Sequence, residues 1–153
     1  MKLELISSAF REGEPIPVLF TGDGQDLSPP LQWSEPPAGT NSLALINDDP
    51  DAPRGTWVHW VLFNLPPTAR SLPQGTPKSA TLPSGAKQGK TDFGTLGYGG
   101  PAPPPGKPHR YYFKLYALDA PLALPDGATK AQVEAAMKGH ILAEGQLMGT
   151  YKR

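Results

Sequence analysis

Residues 47–66 constrain the fold most: Asn-Asp-Asp-Pro-Asp-Ala-Pro-Arg-Gly-Thr-Trp-Val-His-Trp-Val-Leu-Phe-Asn-Leu-Pro. Three acids and two prolines lead within a few residues into Trp57–Leu65, a nine-residue run of aromatic and branched side chains. Such a run predicts a strand. Period two puts Trp57, His59, Val61 and Phe63 on one face, opposite Val58 and Trp60. A histidine in this setting is costly to bury unless it is used or satisfied.

The rest of the chain reads as short strands separated by turns. Its 20 prolines and 17 glycines exceed the usual shares of about 5% and 7%, yet they form no long low-complexity tract. Residues 3–10 alternate at Leu3 and Leu5, and 16–20 are a short apolar run, so both predict strands. Residues 21–30 carry two glycines, two acids and a diproline and predict an exposed loop. Leu31–Trp33 resumes a strand, and residues 42–47 are apolar enough for one covered on both faces. Residues 66–90, rich in proline, Gly, Ser, Thr and Lys, predict a long surface excursion. Residues 94–108 are richer still in Gly and Pro and run into a strong strand at 111–118, with His109 and Tyr111 on one face of its entry. One helix is expected: Thr129 is an N-cap candidate, Gln132 occupies the capping-box position, and Gly139 follows a run of good formers ending at Met137. A last strand spans 140–151. Six or more short strands and one helix before the last strand predict a mostly β, antiparallel sandwich, a single domain over residues 1–153.

Charge and composition remove several functional classes. Basic and acidic residues balance at 14 each, with no long run of either, so the footprint of a nucleic-acid or anionic-membrane binder is absent. There is no cysteine, which rules out disulfides, thiolate catalysis and thiolate zinc sites. No segment has signal-peptide character or the roughly 20 apolar residues that span a bilayer. A soluble cytoplasmic protein, without stable membrane insertion, is the expectation.

The candidates for chemistry are few. Asp48, Asp49 and Asp51 suit general acids, metal ligands or turn formers, because Asp beside Pro is also what tight turns prefer. Pro50 and Pro53 fix two backbone angles and hold the neighbouring side chains at low entropic cost. His59 alone is more often a satisfied core histidine than a ligand. His109 changes that balance, because residues 99–106 ahead of it are glycine- and proline-rich and can expose amide donors to an anion. Two His and one or two Asp are also an acceptable hard-to-borderline metal set, although no His pair has helix spacing. No P-loop, no Gly-x-Ser-x-Gly elbow and no widely separated carboxylate pair is present.

Two motifs carry a family resemblance. Asp49-Pro50-Asp51-Ala52-Pro53 precedes Trp57-Val58-His59-Trp60, and Gly97-Tyr98-Gly99-Gly100-Pro101 precedes His109-Arg110-Tyr111-Tyr112-Phe113-Lys114-Leu115-Tyr116. The chain resembles the phosphatidylethanolamine-binding protein family, which includes Raf kinase inhibitor proteins, and its length and ending resemble the short bacterial and archaeal branch. The resemblance implies a β-sandwich with a small pocket for phosphate and similar anions, including phospholipid head groups. By position it implies a wall of Asp49, His59, His109 and Tyr111, shaped by Pro53 and Trp57, with backbone donors from Gly100 and its neighbours. In this reading both histidines donate to an oxyanion, Asp49 holds the second nitrogen of one of them, and binding tightens as pH falls. No metal or cofactor is called for. The rival is a hydrolase or metal-assisted enzyme using the same Asp and His residues, although no catalytic motif supports it. A third reading makes 66–90 the contact for a kinase or protease, and analogy with the short relatives suggests a homodimer. Two departures stand out: only three residues separate Pro53 from Trp57, and position 102 is Ala where long relatives often have glycine.

Overall fold

The computed structural model describes residues 2–153. Eight strands and one α-helix follow in order: β1 Leu5–Ile6, β2 Leu31–Trp33, β3 Ser42–Asp49, β4 Trp57–Leu65, β5 Ser71–Leu72, β6 Lys87–Gln88, β7 His109–Leu118, α1 Lys130–Met137 and β8 Ile141–Tyr151. The larger sheet has the order β6-β4-β3-β7-β8 and the smaller β1-β2-β5, and every pairing between named strands is antiparallel. This is the mostly β architecture with a single helix before the last strand that the turn-punctuated sequence predicts.

Burial follows from position in the sheet. All eight residues of β3 are buried, because it lies between β4 and β7 with cover on both faces. One core, with Leu43, Leu45, Trp60, Leu62, Phe113 and Leu115, joins β3, β4 and β7 to β1, β2 and β5 through Leu5, Leu31, Trp33 and Leu72. The opposite face of the large sheet packs Ala44, Ile46, Val61 and Phe63 against Val133 and Met137 of α1. The helix begins with the expected capping box: the Thr129 hydroxyl accepts from the Gln132 N–H at 3.2 Å, and the Gln132 side-chain oxygen accepts from the Thr129 N–H at 2.9 Å.

Three expectations are corrected. Residues 3–10 contribute only the two-residue β1, and 16–20 form no strand but a turn of 3-10 helix at Val18–Phe20. Pro15 and Pro17 remove two amide donors there, so the segment cannot sustain a ladder. Residues 66–90 are not a free excursion: they contain β5 and β6, and they bury Leu72, Leu82, Ala86 and Gln88. Gln88 is the anchor, its oxygen accepting from the Trp60 indole N–H at 2.7 Å and its nitrogen donating to the Pro77 and Ser79 carbonyls at 2.7 and 2.8 Å.

The third correction bears on the histidine. Asp48 pairs with Val58 but Asn47 pairs with Trp60, which leaves His59 as an extra residue in β4. The bulge breaks period two: Trp60 joins the inter-sheet core, while Val61 and Phe63 lie under the helix. His59 therefore does not share a face with Val61 and Phe63. It reaches Tyr111 and Phe93 instead, with ring centroids 5.1 and 5.4 Å away.

Candidate functional site

The three acids that precede β4 have three different fates. Asp48 points to the helix side, where its buried carboxylate meets Lys130 at 2.8 Å and Lys114 at 3.3 Å. Asp51 takes a forked pair from Arg110, at 2.9 Å from Nε and 2.8 Å from Nη2, and accepts the Arg110 N–H. Those hydrogen bonds from Arg110 hold the Asp51 carboxyl below the usual carboxylate range, and they tie the loop after β3 to the start of β7. Asp49 is the buried member that faces His109. Its Oδ2 accepts from His109 Nδ1–H at 2.7 Å, while Oδ1 accepts the Asp51 N–H at 2.7 Å. Asp49 is thus turn former and histidine partner at once.

The two imidazoles are oriented by different acceptors. His59 Nδ1 lies 2.6 Å from the Gly99 carbonyl, which can only accept, so this nitrogen carries the proton. Burial is the main reason its pKa lies below the ordinary 6.5, opposed by the Gly99 hydrogen bond and nearby carboxylates. His59 is accordingly neutral near pH 7 and presents a lone pair at Nε2. His109, held by Asp49 through Nδ1, keeps Nε2 free of protein partners among the described residues. Tyr111 stacks on it at 6.5 Å, and burial pushes the Tyr111 phenol well above its ordinary range, so the hydroxyl remains a donor.

These groups surround one cavity of about 200 Å³, lined by Asp49, Ala52, Pro53, Trp57, His59, Phe93, Ala102, Pro103, Pro104, His109 and Tyr111. Six of the seven residues expected at a site, Asp49, Pro53, Trp57, His59, His109 and Tyr111, come together there. Gly100 does not. Its N–H donates to Asp26 Oδ1 at 2.7 Å, and the Gly99 N–H donates to the His59 carbonyl at 2.8 Å, so neither amide is open to an anion. A Cβ on Gly100 would strike the Phe20 carbonyl and the Asp26 carboxylate, so this glycine serves close packing. Among the described residues, the lining amides of Ala52 and Ala102 have no protein partner, nor has the buried Trp57 indole N–H; Ala102 carries the only N–H in the run Pro-Ala-Pro-Pro-Pro at 101–105. That composition was the readable signal for a lone backbone donor.

Phe93 and the prolines at 103 and 104 were not anticipated. Phe93 is 43% exposed at the mouth and packs edge-on against both Trp57 and His59, at 5.4 Å in each case. The cavity is therefore polar at its floor and apolar around its rim. Among the described residues no group of three or more His, Cys, Asp or Glu converges as a metal-binding set, and no helix is long and apolar enough to cross a membrane.

The chain matches the family model described as phosphatidylethanolamine-binding protein over residues 6–152. It belongs to the phosphatidylethanolamine-binding protein family. A UPF0098 protein of Methanothermobacter thermautotrophicus is 50% identical over 151 residues, covering 99% of both chains. A UPF0098 protein of Aquifex aeolicus is 49% identical over 153 residues, covering 99% of this chain and 89% of its own. Among solved structures, the phosphatidylethanolamine-binding protein homolog CT736 of Chlamydia trachomatis superposes with a TM-score of 0.90 at 42% identity, covering 99% and 98% of the two chains. YbcL of E. coli, described as a new member of the mammalian family, gives 0.92 at 35% identity, covering 100% and 99%. The bacterial and archaeal character expected from the closing segment of the chain is that of these relatives. In this family member the two motif regions, 49–60 and 97–116, form opposite sides of a single cavity.

Proposed function

We propose that this family member binds a phosphate group, or a similar small oxyanion carried by a small molecule or head group, in the cavity between Asp49 and Tyr111. One observation carries the reading: Ala102 N–H, the Tyr111 hydroxyl and His109 Nε2 belong to residues lining one small cavity, and none has a partner among the described residues. Unpaired polar groups in a confined space are costly and favour a ligand that satisfies them. His109, polarised through Nδ1 by Asp49, donates from Nε2 when protonated. His59 supplies the complementary role, because its Nδ1–H is committed to Gly99 and its Nε2 accepts. With the buried, unpartnered Trp57 indole N–H added, several donors face the single acceptor His59 Nε2, a pattern that matches a monoprotonated phosphate better than a fully ionised one. This revises the expectation that both histidines donate.

Binding without turnover is part of the proposal. The lining contains no Ser, Thr or Cys nucleophile, and Asp49 is committed to His109 and to the Asp51 amide. Calorimetric titration with inorganic phosphate and with O-phosphoethanolamine tests it, alongside Tyr111→Phe and His109→Ala. One-to-one binding, weakened about tenfold or more by each substitution, supports the reading; no saturable heat with either compound refutes it. Sustained hydrolysis of phosphate or carboxylic esters that disappears in His59→Ala would replace it with the enzymatic reading.

A further inference from the structure

The wall that carries the free Ala102 amide has few anchors of its own. Between 101 and 105 four residues are proline, so the segment cannot be held by a ladder of its own N–H groups. It is held through carbonyls and from outside. The Pro101 carbonyl accepts the Gly22 N–H at 2.8 Å, the Pro103 carbonyl accepts Arg153 Nη1 at 3.3 Å, and the Gly106 N–H donates to the Arg153 carbonyl at 3.4 Å. The same Arg153 forks onto Asp23, from Nη2 at 2.8 Å and from Nε at 3.1 Å, and the Tyr151 hydroxyl donates to Asp23 at 2.7 Å. The turn after the 3-10 helix and the end of β8 therefore grip the back of the proline wall at three points.

We propose that Arg153, with Asp23 and Gly22, is a positioning latch that fixes the Ala102 segment of the cavity wall, and with it the Ala102 N–H, and so tunes oxyanion affinity without touching the ligand. The guanidinium makes two kinds of contact that lysine cannot reproduce together: a planar fork to a carboxylate and a separate donor to a carbonyl. Gly22 sets the spacing from the other side. A Cβ there would come 3.2 Å from the Ala102 Cβ and 3.3 Å from the Pro101 carbonyl, so even alanine must push the wall by a few tenths of an ångström. An oxyanion site is sensitive to displacement on that scale because a donor loses most of its contribution when misaligned.

The ligand arm rests on the phosphate-binding reading, so the test has two arms. In the absence of ligand, backbone 15N relaxation of the full chain is compared for the native protein, Arg153→Lys and Gly22→Ala. The latch predicts Ala102 and Gly106 order parameters near about 0.85 in the native protein and below about 0.6 in Arg153→Lys. Gly22→Ala instead shifts the Ala102 amide resonance while keeping it ordered. In the second arm inorganic phosphate is titrated: both variants lose about tenfold in affinity, although neither touches the anion and Arg153→Lys retains the charge. If native protein binds no phosphate, the functional reading falls, and the first arm still decides the latch. Unchanged order and an unchanged Ala102 resonance in variants that fold as the native protein does would overturn the proposal. So would an affinity change fully explained by salt, which would reduce Arg153 to a distant charge.

Discussion

At the scale of single residues, position within a motif does not determine role. Asp48, Asp49 and Asp51 lie within four positions, yet one faces the helix, one supports a histidine and one pins a loop to Arg110. His59 and His109 differ as sharply, one held by a carbonyl and the other by a carboxylate. The consequence for His59 is measurable. Its folded pKa is depressed from 6.5, chiefly by burial, so below that value the unfolded chain binds more protons than the folded one. Stability therefore falls as pH drops through and below about 6.5. Urea unfolding of the native protein and His59→Gln between pH 7.5 and 5 reads this directly: the acid-side slope should be shallower in the variant, and identical slopes would assign the loss to other groups.

At the scale of elements, the central strands and the helix announce themselves, because β3, β4 and β7 are long runs of apolar, aromatic and branched residues and α1 carries a complete capping box, while β8 alternates only loosely around its two glycines. What periodicity missed is also physical. An inserted residue at the β4 bulge moves Trp60, Val61, Leu62 and Phe63 to the faces opposite those expected, a second register shift between the Leu62 and Leu65 pairings returns Leu65 to the inter-sheet core, and no local residue type marks the first bulge. The segment 66–90 looks solvated because its anchor, Gln88, is polar, whereas its amide is fully buried and satisfied on both ends. Gly100 was misread for a related reason: its amide partner Asp26 lies 74 positions away. The Gln88 anchor gives the prediction at this scale. Gln88→Ala leaves the Trp60 indole N–H and two carbonyls without partners, and chemical denaturation should show a loss of about 2–4 kcal/mol; a loss under about 0.5 kcal/mol, the usual size of a surface substitution, would show that the segment is not anchored there.

At the scale of the whole molecule, two distant stretches meet because β3 lies between β4 and β7, which brings the end of β3 beside the start of both. The outer edge of β8 is closed by the N-terminal segment, through Leu3 N–H to the Glu144 carbonyl, Gly13 N–H to the Met148 carbonyl and Ile16 N–H to the Thr150 carbonyl. Gly145 permits that approach, since a Cβ there would collide with the Leu3 carbonyl. Gly145→Ala should lower the thermal midpoint and speed exchange of the Leu3 amide, while leaving the cavity residues in place. Unaltered Leu3 protection would mean that the edge is sealed elsewhere.

Function depends on whether the cavity between Asp49 and Tyr111 takes an oxyanion. A 1H–15N titration of the native protein with inorganic phosphate addresses it at atomic level. An oxyanion in the cavity gives saturable shifts at the Ala102 amide and at the Nε2 atoms of His59 and His109, with the Gly100 amide, bonded to Asp26, nearly unmoved. Absence of saturable shifts, or shifts confined to the Lys114–Lys130 cluster on the opposite face of the sheet, would contradict it.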